Sequence, residues 1–346
     1  MSAFITATGL VTAVGIGTGP ACAAMRAGIK GFTELPYVDD EQQTIIGAPV
    51  PPLGWSSTAI ERAAILLRSA VVQVTHQLDP RARERLAVVF AGCELDRPVV
   101  DEGRAQWLAA VAAQALGTGP MPARVLVVRG GAPASFRALA VARELLSTKD
   151  ALAVMVCSVD SLLDARSLSW LSRARPLRSV RRSDGAVPGE AAVALLLRPG
   201  PDRDHGRGLL VAGLGVGDEP SDRSVEVPRR ADGLVNAIRT ALGEAGLGLH
   251  ELDLRLASGA HGSSESKEQA LALTRILRER VESFPLWLSA ETLGDVGTTA
   301  GLLAIAWTHD AGLRGYLPGR AALATAMARD GERAAAVLRW VGAGRC

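Results

Sequence analysis

Residues 175–197, RPLRSVRRSDGAVPGEAAVALLL, pass from an arginine-rich polar loop through Asp184–Gly185 and Gly189–Glu190 into an apolar run. The basic stretch RARPLRSVRR (173–182) reads as a solvated loop, because a formal charge of only +2 gives no reason to expect a nucleic-acid partner. GPDRDHGRG (200–208), rich in proline, glycine and charge, is the best internal boundary, and divides the chain into 1–200 and 201–346.

Upstream, ALAVMVCSVDS (151–161) and ARVLVVRGG (123–131) read as buried strands. They flank VVRGGAPASFRALAVARELL (127–146), where a strand runs through two glycines into an Ala-rich apolar helix. Further back come the strand RLAVVFAG (85–92), the helix DEGRAQWLAAVAAQAL (101–116), and the helix STAIERAAILLRSAVVQVTHQL (57–78) with Ser57 as its N-cap. The strand AFITATGLVTAVG (3–15) and a short helix open the chain. After the boundary the grammar restarts: strands LLVAGLGVG (209–217), LDLRLASGA (252–260), LWLSA (286–290) and AAAVLRWVG (334–342) alternate with helices at 233–246, 266–280 and 298–312. Such alternation argues for α/β layering and an internal structural duplication.

At 346 residues the chain is long enough for a sizeable core, and its 48% apolar content is globular. Cys22, Cys93, Cys157 and Cys346 form no CxxC pair and have no histidine at metal spacing, so neither a disulfide framework nor a metal site is expected. The start has no signal-peptide pattern and no stretch approaches a membrane span, which predicts a cytoplasmic protein.

The chain resembles the β-ketoacyl synthases of the thiolase superfamily over nearly its whole length, as a short, degenerate variant. The motifs are ITATGLVTAVGIGTGPACAAMRAGIKGF (5–32), MVCSVDSLL (155–163), the DG…GE order of Asp184, Gly185, Gly189 and Glu190, GAHGSSESKEQAL (259–271) and LSAETLGDVGTTAGLLAIA (288–306). The resemblance implies an α/β thiolase-like fold, two similar halves stacked as α-β-α-β-α layers, and usually a dimer joined along a central strand. It also implies a cysteine at the start of a buried helix and two histidines. The thiolate is stabilised by helix-end N–H groups, and the histidines serve the decarboxylation and condensation.

Matched onto this chain, the nucleophile position falls at Ala132, within about one residue of Gly131 or Pro133. None of the three can attack a carbonyl. Ser135 is the nearest hydroxyl, and a first-turn hydrogen bond is its plainer reading; Cys93 is the other weak substitute. The first histidine is kept as His261. The second is replaced by Asp295, whose carboxylate would repel an oxyanion; it reads better as a cap for the helix beginning near Gly297 or as the partner of an arginine. The family's late glycine-rich loop has no proper counterpart in AMARDGERAAAV (326–337).

The resulting expectation is a non-catalytic ketosynthase-like protein with no cofactor and no metal, acting as a binding partner, adaptor or chaperone. Its partner would be a second ketosynthase-like subunit, in a homodimer or heterodimer, or a secretion-system effector; nucleic acid and membrane are not expected. The alternative is an acyl-thioester enzyme (β-ketoacyl-carrier-protein synthase, acyltransferase or malonyl decarboxylase) using His261 without a covalent step. A third reading is passive binding of an acyl chain or acyl carrier protein.

Overall fold

Apolar strands buried on both faces determine the layering. The computed structural model describes residues 2–51, 53–55, 57–98, 102–117, 121–173, 175–201, 206–220, 230–258 and 263–342. From the N-terminus, β1 (Phe4–Thr12), with the two-residue β2 (Gly15–Ile16) folded back on it, leads into α1 (Thr18–Arg26). A separate hairpin of β3 (Thr33–Val38) and β4 (Thr44–Gly47) follows. Next come α2 (Ala59–Thr75), α3 (Pro80–Glu84), β5 (Leu86–Gly92), α4 (Glu102–Gln114), β6 (Arg124–Arg129), α5 (Ala134–Ser147), β7 (Ala153–Ser161), α6 (Ala165–Ser172) and β8 (Glu190–Arg198). The remaining elements are β9 (Gly208–Asp218), α7 (Asp232–Ala245), β10 (Leu254–Ala257), α8 (Ser263–Ile276), β11 (Leu286–Trp287), α9 (Ala290–Leu293), α10 (Ala300–Arg314), β12 (Ala321–Met327) and β13 (Glu332–Val341).

The strands lie in the order β11-β10-β12-β13-β9-β1-β8-β7-β5-β6. Read outward from the middle, each side visits its strands in the same sequence: first, fifth, fourth, second, third. Pairing directions match as well. β8 runs antiparallel to β1 and β7, while β5 is parallel to β7 and β6. Likewise β13 runs antiparallel to β9 and β12, while β10 is parallel to β12 and β11. The two sides are joined by the pairs Phe4↔Leu210 and Ile5↔Leu209, so the expected pair of stacked sheets is one continuous sheet folded over its central helices. That join protects the ends of two strands that would otherwise present open edges.

Between the two sides lie α5 and α10; α2 and α4 cover one outer face, α7 and α8 the other. Strand alternation sorts the side chains. Val154 and Val156 of β7 and Val193, Leu195 and Leu197 of β8 face the central helices. Met155, Cys157, Ala194 and Leu196 face the outer pair. Burial on both sides is why these strands read as continuous apolar runs.

Some details depart from the sequence reading. The cap of α2 is Thr58, not Ser57: its hydroxyl accepts from the Glu61 N–H while the Glu61 carboxylate accepts from the Thr58 N–H, a reciprocal capping box. Strand β12, AALATAM, and the β3–β4 hairpin were not anticipated, because short alanine- and threonine-rich or mixed stretches carry little periodic signal.

Glycines set how closely α7 lies on β9. A Cβ at Gly213, Gly215 or Gly217 would stand 2.0–2.1 Å from the carbonyl oxygens of Ala241, Ala237 and Gly233. Backbone on both sides leaves nothing to yield. Gly215→Ala is therefore expected to lower unfolding stability by ~2 kcal/mol or more, as overpacking does. Gly243→Ala, on α7 with open space around the new methyl, should raise it by about 0.5–1 kcal/mol through helix propensity. Urea unfolding of the two variants checks both signs.

Candidate functional site

The turn between β6 and α5 is built on Gly130 (φ 139°) and Gly131 (φ 69°), conformations a side chain rarely adopts. Their N–H groups donate to the Gly92 carbonyl at 3.1 and 3.3 Å, which fastens the turn to the end of β5. Ala132 follows, buried, one residue before Pro133 caps α5. The side chain at position 132, where the resemblance places the nucleophile, is thus a methyl group within the buried core.

Ser135 is fully buried, and its hydroxyl donates to the Thr298 carbonyl at 2.8 Å. It ties α5 to the turn ahead of α10 instead of bonding within its own helix. Gly301, in the first turn of α10, lies so close that a Cβ there would sit 2.7 Å from the Ser135 Cβ and 3.1 Å from the Ala132 carbonyl oxygen. The starts of α5 and α10 are in direct contact, and the Ser135 hydroxyl is engaged in holding them.

Asp295 lies just before α10, and both of its carboxylate oxygens are used. Oδ1 accepts from the Gly297 N–H at 2.9 Å, and Oδ2 pairs with the Arg175 guanidinium. Its backbone bonds in a parallel bridge: Asp295 N–H to the Val187 carbonyl at 2.7 Å, and Gly189 N–H to the Asp295 carbonyl at 2.8 Å. His261 lies outside the described residues. Cys93 is partly buried, and burial, with the Asp160 carboxylate beside it, pushes its thiol up to about 11. At neutral pH it carries almost no thiolate, the form a nucleophile needs.

The charged centre beneath this turn was not singled out from sequence. Asp160, at the end of β7, is buried; both its oxygens accept from Arg97 Nη1, at 2.7 and 2.8 Å. Oδ2 also accepts from the Thr298 N–H at 2.9 Å and its hydroxyl at 3.1 Å, and Oδ1 from the Ser161 N–H at 2.9 Å. Arg97 is equally buried and donates to the Ser161 carbonyl at 2.9 Å. An acid in the apolar run MVCSVDS was the available signal, since such a residue is rarely buried without a partner. Beside this pair, Glu94 presses against the α5 turn: a Cβ on Gly131 would stand 2.4 Å from its Oε1. Its Oε2 has no hydrogen-bond partner and lies 3.9 Å from Arg97 Nη1. Burial pushes this carboxyl up to about 7; Arg97 favours its charged form and Asp160 opposes it.

The motif glycines and acid are structural. A Cβ on Gly189 would meet the Leu293 carbonyl oxygen at 2.3 Å, and one on Gly185 would meet the Leu177–Arg178 backbone at 2.4 Å. Glu190 is fully buried; it pairs with buried Arg62 and accepts from the Val50 N–H at 2.8 Å and the Ser161 hydroxyl at 2.9 Å. Among the described residues no cluster of three metal-ligating side chains occurs, and no helix is long and apolar enough to cross a membrane.

Chemically, this arrangement holds two helix starts together around the buried Asp160–Arg97 ion pair. Asp160→Asn would leave Arg97 buried against a neutral amide and is expected to cost ~3–5 kcal/mol. Asp295→Asn, at a part-exposed pair, should cost about 1 kcal/mol or less. Equal losses in urea unfolding would refute the central place given to Asp160. A second expectation concerns His309, in the middle of α10, where burial and the Arg207 charge hold the imidazole down to about 4. Because its folded pKa lies below the free value near 6.5, stability present above that pH is lost as pH falls toward 4. The loss is roughly 3 kcal/mol in full. Glu94 opposes this effect over the same interval, so His309→Phe should raise the Tm at pH 4.5 relative to that at pH 6.5 compared with the wild type, and an unchanged difference would contradict it.

No family model and no curated protein sequence matches the chain. Solved structures do. It is similar to the complex of the ketosynthase ApeO with its chain length factor ApeC from Xenorhabdus doucetiae: TM-score 0.77 at 17% identity, covering 98% of each chain. It is similar to the ishigamide ketosynthase/chain length factor, with TM-score 0.71 and 21% identity over 99% of this chain and 100% of that one. A β-ketoacyl synthase from Burkholderia phymatum gives 0.76 and 16%, over 98% and 99%. The chain has the thiolase-like fold of the ketosynthases.

Proposed function

We propose that this ketosynthase-like fold works without its own covalent chemistry, as the binding partner of a second ketosynthase-like chain. One observation carries the reading. At the start of α5, where a thioester would have to form, stands the buried methyl group of Ala132, whose own carbonyl oxygen lies close to Gly301 of α10. A helix start can stabilise a thiolate only if a thiol is there. Ser135 spends its proton on the Thr298 carbonyl, Cys93 stays a protonated thiol, and Asp295 is bound to Arg175.

The partner is argued from the sheet. β6 is hydrogen-bonded only to β5 among the described residues, so its other edge is free to pair. An unpaired strand edge is a template for another strand. Val125 on β6 is 40% exposed, Trp107 on α4 44% and Met121 62%, an apolar surface at one end of the sheet. A chain of the same fold could add its own edge strand here, and two of the similar structures are complexes of a ketosynthase with a chain length factor. An adaptor or chaperone role toward a secretion-system effector would use the same edge. The ketosynthase-like partner is preferred because it continues the sheet on both sides.

In solution the protein should run as a two-chain assembly by light scattering, alone or after co-expression with a ketosynthase-like chain. Val125→Asp should halve that mass while leaving the circular dichroism unchanged. An unaltered assembly would refute this interface. Incubation with malonyl- or acyl-carrier protein should give no turnover by mass spectrometry; turnover abolished by His261→Ala would overturn the non-catalytic reading.

A further inference from the structure

We infer that Glu94 is a proton-controlled latch, which when neutral docks Cys93–Leu95 against the α5 turn and when ionised releases them, while Arg97 stays on Asp160. The inference is independent of any partner. It rests on how the segment is held.

Glu94 Oε1 lies against the Cα of Gly131, a residue whose missing side chain makes the room. Oε2 is buried and unpartnered. The nearest cation, Arg97, is committed: Nη1 to both oxygens of Asp160, Nη2 to the Ser161 carbonyl. An ionised Glu94 would therefore share a guanidinium already neutralised by another carboxylate.

Charges of both signs surround it. Cys93, Asp96 and Arg97 come from its own segment, Arg104 from α4, Asp160 from the end of β7, Asp295 from the turn before α10, and Arg329, a second cation, from the β12–β13 connection, where it lies over the Trp170 ring. The Arg137–Glu332 pair, across Gly130, is internally neutral. Asp295 in turn is held by Arg175. The segment has somewhere to go, since Leu95 is 72% exposed directly beside Glu94.

Successive residues of an extended segment point to opposite sides. Glu94 faces the α5 turn, whereas Cys93 lines a narrow cleft whose walls include Phe90, Leu108, Val159 and Arg97. Undocking Glu94 must move Cys93 and open that wall. Docked, the carboxyl sits near 7, against about 4.5 when exposed. The docked state therefore holds more protons, is favoured at low pH, weakens as pH rises from about 4.5 through 7, and changes little above.

The test uses Cys93 as the native reporter. The full-length protein is treated with 4,4′-dithiodipyridine at pH 5 and pH 8, and modification is followed peptide by peptide by mass spectrometry. Glu94→Gln, nearly isosteric and neutral throughout, cancels the thiol's own pH dependence. The Cys93 rate of the wild type relative to this variant is expected to rise at least about tenfold between the two pH values. Glu94→Ala, which has no latch, should react fast at both. A flat ratio would overturn the inference, as would a slow Glu94→Ala. So would a rise shared by the buried Cys22 and Cys157, which would report unfolding of the whole molecule.

Discussion

The backbone bridge between Val187–Gly189 and Asp295 is the constraint on which the rest of the molecule depends. Two hydrogen bonds of 2.7 and 2.8 Å lock the lead-in of β8 to the lead-in of α10, and Gly189 permits the approach by having no side chain. Immediately after it, Glu190 enters the core and is held by Arg62, Val50 and Ser161. A buried carboxylate of this kind is tolerable only when nearly every lone pair is used. The arrangement fixes the end of β7, the start of β8, the packing of α2 and the entry of α10 with one set of bonds. The motif that identifies the fold in the sequence is therefore the piece that assembles it.

From that bridge the meeting of α5 and α10 follows. With α10 brought in at this angle, its first turn lands on α5, and Gly301 and Ser135 are in contact. At that contact Thr298 is bound twice over, by Asp160 and by Ser135. A carboxylate at position 295 suits the fold because the Gly297 N–H and the Arg175 guanidinium absorb its charge. Such an acceptor would repel an oxyanion and is well placed in a turn.

The sequence made the strands and the layering legible because β7 and β8 carry long apolar runs buried on both faces and β1 leads into a glycine-marked turn. It made the start of α5 legible too, since two glycines between an apolar strand and an alanine-rich helix mark the turn that holds Ala132. Three features escaped. Asp160 and Arg97 are 63 residues apart and meet only through the sheet. Glu94 looks like an ordinary polar residue after a strand, and nothing local says that it turns inward against Gly131. The continuity of the sheet depends on two pairs between β1 and β9, whose joining is a matter of tertiary geometry and not of either strand's pattern.

Glu94 and His309 show how buried ionisable groups can oppose one another in a single fold. Glu94, pushed up to about 7, makes the folded state less favourable as pH rises from about 4.5; His309, held near 4, makes it more favourable over much of the same interval. Each effect amounts to roughly 3 kcal/mol in full, so their slopes largely cancel between about pH 4.5 and 6.5. They differ in how the strain can be relieved. His309 is enclosed by α10 and Trp340, and it reaches water only if the core opens. Glu94 sits on a surface segment and reaches water by local undocking, a far smaller opening. Above neutral pH the folded chain therefore carries whichever is less, the cost of a buried carboxylate or the cost of releasing one short segment. The first is set by Asp160 and its hold on Arg97; the second by how tightly Gly131 lets that segment lie.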